Sequence, residues 1–201
     1  VQEIMRDHPR VSVSLEGTQR EQSETFGSLL PMFILALFII YALLAIPLRS
    51  YGQPLIIMSV IPFAFVGSVW GHIIMKILGL LDSMAIMSIM GIVAASGVVV
   101  NSSLVLVHAV NHRRADGMSV SDAVIEAAVS RCRPILLTSL TTFAGLTPLL
   151  LNQSVQAGVL IPMATSLAWG VMLATVVTLL VVPAGYLILE DAGTRHSAPI
   201  A

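Results

Sequence analysis

Charge is scarce in this 201-residue chain, and where it is missing matters more than how little there is. Lys, Arg, Asp and Glu together make up 10% of the residues against 56% hydrophobic ones, with a mean hydropathy of +0.92. Soluble domains carry about 25% charged residues, so this composition excludes an ordinary water-soluble fold. No acid or base at all lies between Arg133 and Glu190. An α-helix crosses a bilayer with about 20 apolar residues, and that interval has room for two such spans and a turn. The net charge of −1, with no basic run longer than Arg113-Arg114, excludes a nucleic-acid partner. One cysteine, Cys132, cannot form an internal disulfide, and between Arg131 and Arg133 it reads as a structural or incidental thiol. The opening VQEIMRDHPR has neither the basic nor the apolar region of a signal peptide. HExxH and GxSxG are absent and the apolar runs hold no Asp, Glu or Cys, which leaves enzymatic chemistry little to work with.

What is present is a series of apolar runs. They predict an all-α integral membrane fold with five transmembrane helices, at residues 26–48, 55–77, 84–110, 134–151 and 159–189. Ser119 or Ser121 can cap a short amphipathic cytoplasmic helix. In it Val120, Ala123, Val124 and Ala127 share one side, and Asp122, Glu126 and Arg131 face water. Pro134 suits the first turn of a new helix, where its missing N–H costs nothing. Val11, Val13 and Leu15 alternate with Ser12 and Ser14 as in a strand, yet no second strand follows to pair with it. Residues 1–25 are therefore expected to be the remnant of a larger periplasmic α+β domain. Residues 192–201 are expected to be a flexible cytoplasmic tail. Arg49, Arg113, Arg114, Arg131, Arg133 and Arg195 fall on one side of the spans, while the short loops of the other side offer only Lys76. The Arg-rich side is expected to be cytoplasmic.

The third span concentrates small and polar residues. Gly91, Ala95 and Gly97 allow close helix packing, and so does the GxxxG spacing of Gly67 and Gly71 in the second span, unless that spacing is chance in a glycine-bearing apolar segment. Asn101, Leu104, Val105 and His108 share a face at spacings of three, four and seven. Met84, Met87 and Met90 recur at a spacing of three, which suits either flexible core filling or a path for soft cations.

The stretches MSIMGIVAASGVVVNSSLVLVHAVN (87–111) and RCRPILLTSLTTFAGLTPLL (131–150) resemble the tenth and eleventh spans of resistance-nodulation-division (RND) efflux permeases of the acriflavine-resistance type. Ile161-Pro162-Met163-Ala164 and Val182-Pro183-Ala184 look like the last span. The resemblance implies a multi-pass bacterial inner-membrane subunit that exports small molecules in exchange for protons. Its energy source would be the proton gradient, with no cofactor and no metal site. The implied partners are the N-terminal half of the same transporter, two further copies in a homotrimer, a periplasmic adaptor, an outer-membrane channel and membrane lipid.

In the family, the position matched by Asn101 is often Lys and in some branches Asn, facing paired aspartates on a span of the first half. Ser102 stands where many relatives have Asp, and His108 where an acid is common. Arg131 and Thr138 match an Arg and a Thr of the same proton-coupling network. Each has a plainer reading: Asn101 as helix–helix glue, His108 as an interfacial residue, Arg131 as a snorkelling cation, Thr138 bonded to its own backbone. Two other functions stay open, a non-transporting membrane scaffold or docking subunit and a heavy-metal RND permease.

Overall fold

The computed structural model describes residues 18–81, 86–152 and 154–196. Every regular element among them is helical: α1 Thr18–Leu48, α2 Gly52–Met58, α3 Ile61–Ile77, α4 Ile86–Ala115, α5 Val120–Leu150 and α6 Val155–His196. Segments α2 and α3 follow one another through a turn at Ser59, whose N–H bonds the Leu55 carbonyl, so they count as one helix. Among the described residues four stretches are long and apolar enough to cross a membrane: Pro31–Leu48, Gly52–Ile77, Ile86–Ala115 and Ala157–Asp191.

Two expectations change. Residues 18–25, expected in an extramembrane remnant, are helical and precede the apolar stretch that begins at Pro31, and the strand pattern at Val11 to Leu15 lies outside the described residues. Helix α6 continues to His196, past the expected start of the tail at residue 192. The amphipathic helix and the fourth span are one helix, α5, with Pro134 in its interior. Buried residues lie on both sides of the proline, Ala123, Val124 and Ala127 before it and Ile135 and Ser139 after it. Pro134 lacks the N–H that would meet the Ser130 carbonyl, and on either side of it the Ser130 hydroxyl donates to the Ala127 carbonyl and the Thr138 hydroxyl to that of Pro134. Helix α5 is not among the four apolar stretches, because Thr138, Ser139, Thr141, Thr142 and Thr147 dilute its leucines. Each of those hydroxyls donates to a carbonyl three or four residues earlier, so none is left bare.

Residues 1–40 form one unit and residues 41–201 another, and the packing described here lies within the second. Its central post is α6, which α2, α3, α4 and α5 all contact. Glycine sets the spacing. A Cβ at Gly67 would come within 2.7 Å of the Trp169 carbonyl oxygen, one at Gly71 would strike the Trp169 side chain, and one at Gly91 would strike the Met163 carbonyl. Ala95, fully buried, packs close to Gly170. Gly97, by contrast, has open space around it. In a bilayer, lipid is as apolar as leucine, so contact of this kind is what holds helices together. Toward the ends of α3 and α5, Met75, Leu150, Ala157, Ile161, Ala164 and Ala168 form a buried cluster. Phe143 meets Trp169 edge to face beside it, at 5.2 Å between ring centroids.

Local signals close the helices. Gly79, at φ 69°, ends α3 with its N–H on the Lys76 carbonyl and the Leu80 N–H on that of Met75. Gly117, at φ 89°, does the same for α4 with the Arg114 and Arg113 carbonyls. Both are left-handed glycine caps that use otherwise orphaned carbonyls. Ser119 caps α5, its hydroxyl accepting from the Asp122 N–H at 3.2 Å. As expected, Ala123, Val124 and Ala127 are buried while Asp122, Glu126 and Arg131 are exposed.

The packing gives opposite expectations for two glycines of α4. Gly91→Leu must displace the α6 backbone and should destabilise the chain by about 1–3 kcal/mol. Gly97→Ala meets nothing and should be neutral or stabilising by up to about 1 kcal/mol. Unfolding midpoints in mixed micelles test this, and equal effects at the two positions would contradict the close α4–α6 contact.

Candidate functional site

Helix α4 has two faces. Ser88, Gly91, Ala95, Val99, Ser103, Leu106 and Val110 follow one another at steps of three and four, and all are buried. A second line at the same steps, Met90, Ala94, Gly97, Asn101, Val105 and His108, is exposed. Asn101 and His108 thus stand on the open face with Val105, while Leu104 sits at its edge, half-buried. Ser102 is also half-buried and donates to the Val98 carbonyl at 3.1 Å. Because α5 runs unbroken through Pro134, Arg131 and Thr138 lie two turns apart on one side of it, both exposed. The Thr138 hydroxyl is occupied by the Pro134 carbonyl at 2.9 Å. Among the described residues, no hydrogen bond or ion pair joins Asn101, His108, Arg131 and Thr138 to one another. They are four polar side chains on adjacent helices, open to whatever lies outside this chain. Of the methionine series, Met87 and Met90 are exposed on α4, and Met84 is outside the described residues.

Two polar clusters inside the packing were not anticipated. The first surrounds His72, which is only 6% exposed. Its Nδ1 is 2.9 Å from the Ser68 carbonyl oxygen and therefore carries the proton of that bond, since a carbonyl can only accept. Its Nε2 is 2.9 Å from the Ser88 hydroxyl of α4. Ser68 in turn donates to the carbonyls of Ala64 and, across to α6, Ser166 at 2.8 Å. The i, i+4 spacing of Ser68 and His72 was the available signal.

The second cluster joins three helices near the Arg-rich end. Asn111 of α4 exchanges amide bonds with Gln53 of α2 at 2.8 and 3.2 Å, and its Oδ1 also accepts from the Tyr186 hydroxyl of α6 at 2.8 Å. Arg114 meets the Glu190 carboxylate at 2.6 Å. Nearby, Arg113 bonds Ser130 at 2.8 Å and lies 3.3 Å from Glu126, tying α4 to α5 across the short loop. Such partly exposed ion pairs contribute about 0–1 kcal/mol each. The amide exchange and the tyrosine hydroxyl, fixed in direction, set the register of the helices more firmly. Asn111 with Arg114, and Tyr186 with Glu190, repeat helical spacings that mark the pairs after the fact.

A family profile described as the AcrB/AcrD/AcrF family matches residues 2–190. The swarming motility protein SwrC of Bacillus subtilis (strain 168) is 30% identical over 189 residues, covering 91% of this chain and 17% of that protein. The crystal structure of a heavy metal efflux pump matches with a TM-score of 0.76 in crystal form II and 0.74 in form I. Its identity is 25%, and the match covers 94% of this chain and 19% of the pump's. The chain spans less than a fifth of the length of either relative.

If the Asn111 cluster acts as a unit, Asn111→Leu and Tyr186→Phe should not add. Each should cost about 1–3 kcal/mol by leaving a polar group unpaired. The double variant should fall short of the sum by about 0.6 kcal/mol, the average for such bonds in membrane proteins. A double-mutant cycle by reversible unfolding in micelles measures the difference, and strict additivity would dissolve the cluster into independent contacts.

Proposed function

The chain belongs to the AcrB/AcrD/AcrF (RND) family, and on that footing we propose that it is the C-terminal transmembrane part of a proton-driven permease exporting small molecules across the bacterial inner membrane. The observation that carries this reading is the open face of α4 and α5, where Asn101, His108 and Arg131 project from long helices without a side-chain partner among the described residues. Polar side chains at membrane depth face protein or a water-filled cavity, since lipid offers them nothing. The partner that fits is the N-terminal half of the same transporter, carrying acidic groups that Asn101 and Arg131 meet when those groups are charged. Ser102 and Thr138, both bonded to carbonyls of their own helices, line the same side and adjust to that change of charge. Between residues 26 and 189 the acids are Asp82, Asp116, Asp122 and Glu126, none of them within the expected spans, so proton uptake at the centre falls to the other half. The homotrimer, the adaptor and the outer-membrane channel belong to the same proposal, as does the crossing of the membrane by α5.

The likeness to a heavy metal efflux pump favours a second reading, metal export, in which Met87 and Met90 on the open face of α4 would be the soft ligands. The small-molecule reading rests on the acriflavine-type resemblance of residues 87–111 and 131–150.

In the complete transporter, Asn101→Leu should abolish coupled efflux while leaving insertion and folding intact, because the side chain is exposed in this part of the molecule. Drug accumulation assays beside a folding readout test this. Efflux at the wild-type level would leave Asn101 as helix–helix glue and remove it from the coupling network.

A further inference from the structure

A groove of about 920 Å³ runs between α5 and α6, and its lining is aliphatic except at Cys132 and Arg133. Leu136, Leu137 and Leu140 of α5 form one wall, and Val176 and Leu180 of α6 belong to the other. Val129, Leu137, Leu140, Val176 and Leu180 are each at least half exposed, so the groove is open along its length rather than a sealed void. Arg133 enters it from the Arg-rich end. The neighbouring cations Arg113 and Arg114 each meet a carboxylate, of Glu126 and Glu190. Arg133 is exposed and has no such partner among the described residues.

The groove also looks away from the open coupling face. Two residues turn about 200° around a helix, so Arg133 points nearly opposite Arg131, and Leu136 and Leu140 nearly opposite Thr138. Whatever meets Arg131 and Thr138 therefore does not cover the leucines. An open aliphatic groove with one unpaired guanidinium at its Arg-rich end matches an acyl chain under a phosphate. Arg suits phosphate through its planar fork of donors, and the cytoplasmic leaflet is the one rich in anionic lipid.

We propose that this groove is a binding site for an anionic phospholipid, with the phosphate on Arg133 and an acyl chain along Leu136, Leu137 and Leu140. The choice of lipid over a further helix of the transporter rests on the proposed function, whereas the groove and its unpaired cation do not.

Cys132, the chain's single thiol and half-exposed in the groove, reports occupancy without any engineered label. The whole chain, in nanodiscs of phosphatidylcholine or with phosphatidylglycerol of the same acyl chains added, is treated with the neutral reagent N-ethylmaleimide. Phosphatidylglycerol should slow alkylation of Cys132 about fivefold relative to phosphatidylcholine alone, and salt should shrink the difference. Arg133→Gln should remove it. Inorganic phosphate alone should have no effect. Equal rates in the two lipids, a difference that persists in Arg133→Gln, or protection by phosphate alone would each overturn the lipid site. So would a Cys132–Cys132 cross-link between copies that phosphatidylglycerol does not suppress, since the groove would then be an interface between chains. The lipid and salt dependence of the wild type is decisive even where the variant folds poorly. No transport enters the readout, so a negative result leaves the efflux reading standing, and loss of that reading leaves the lipid result standing.

Discussion

The close approach of α3 and α4 to α6 is the contact on which the rest of this structure depends. Apolar surface alone does not drive helices together in lipid, so packing must come from backbones that nearly touch. Gly67, Gly71 and Gly91 permit this, each leaving no room for a Cβ against Trp169, Gly170 or Met163. That proximity brings polar groups within reach of one another. Ser68 reaches the Ser166 carbonyl, and His72 reaches Ser88, only because the helix axes are drawn in. At the other end Asn111, Gln53 and Tyr186 perform the same closure with longer side chains. Bare polar atoms cost several kcal/mol in lipid, so glycine packing and internal hydrogen bonding are two sides of one solution.

Helix α4 shows how the same constraint divides structure from function. Its buried line of small residues is used up within the chain, while the line through Gly97, Asn101 and His108 is not. Gly97 resembles Gly91 in sequence but has open space where Gly91 has the Met163 carbonyl. A helix with small residues on two sides is built to be gripped from two sides. The proposed efflux mechanism uses this: one face anchors α4 to α6, and the other remains available to a partner whose charge changes during the cycle. Helix α5 repeats the division, with Ala123, Ala127 and Ser139 buried while Arg131, Thr138 and several of its leucines are exposed.

Much of this was legible in the sequence because it depends on local pattern. The charge-free interval after Arg133 marked the α5–α6 region, Ser119 marked a helix start, and the buried stripe of the amphipathic segment followed from its spacing. Pro134 misled because its local preference is for a first turn, whereas helix α5 runs through it with buried residues on both sides. The His72 and Asn111 clusters were illegible for a different reason. His72 and Ser88 are 16 residues apart, and Gln53 and Asn111 are 58 apart, so no periodicity within a helix brings them together. Gln53 was further hidden because it falls between the expected spans 26–48 and 55–77, whereas it lies in the first turn of α2. The two similar glycines of α4 could not be told apart at all until α6 was in place.

The account's central claim is that these helices cross a bilayer with the Arg113-Arg114 end in the cytoplasm and the α5–α6 turn on the far side. Single cysteines at Ala115 and at Asn152, each in a Cys132→Ser background, test it most directly in intact cells with a membrane-impermeant thiol reagent. The account predicts labelling at position 152 and none at 115 until the cells are opened. Labelling at 115 and not at 152 would invert the molecule in the membrane, and labelling at both would mean that α5 does not cross it.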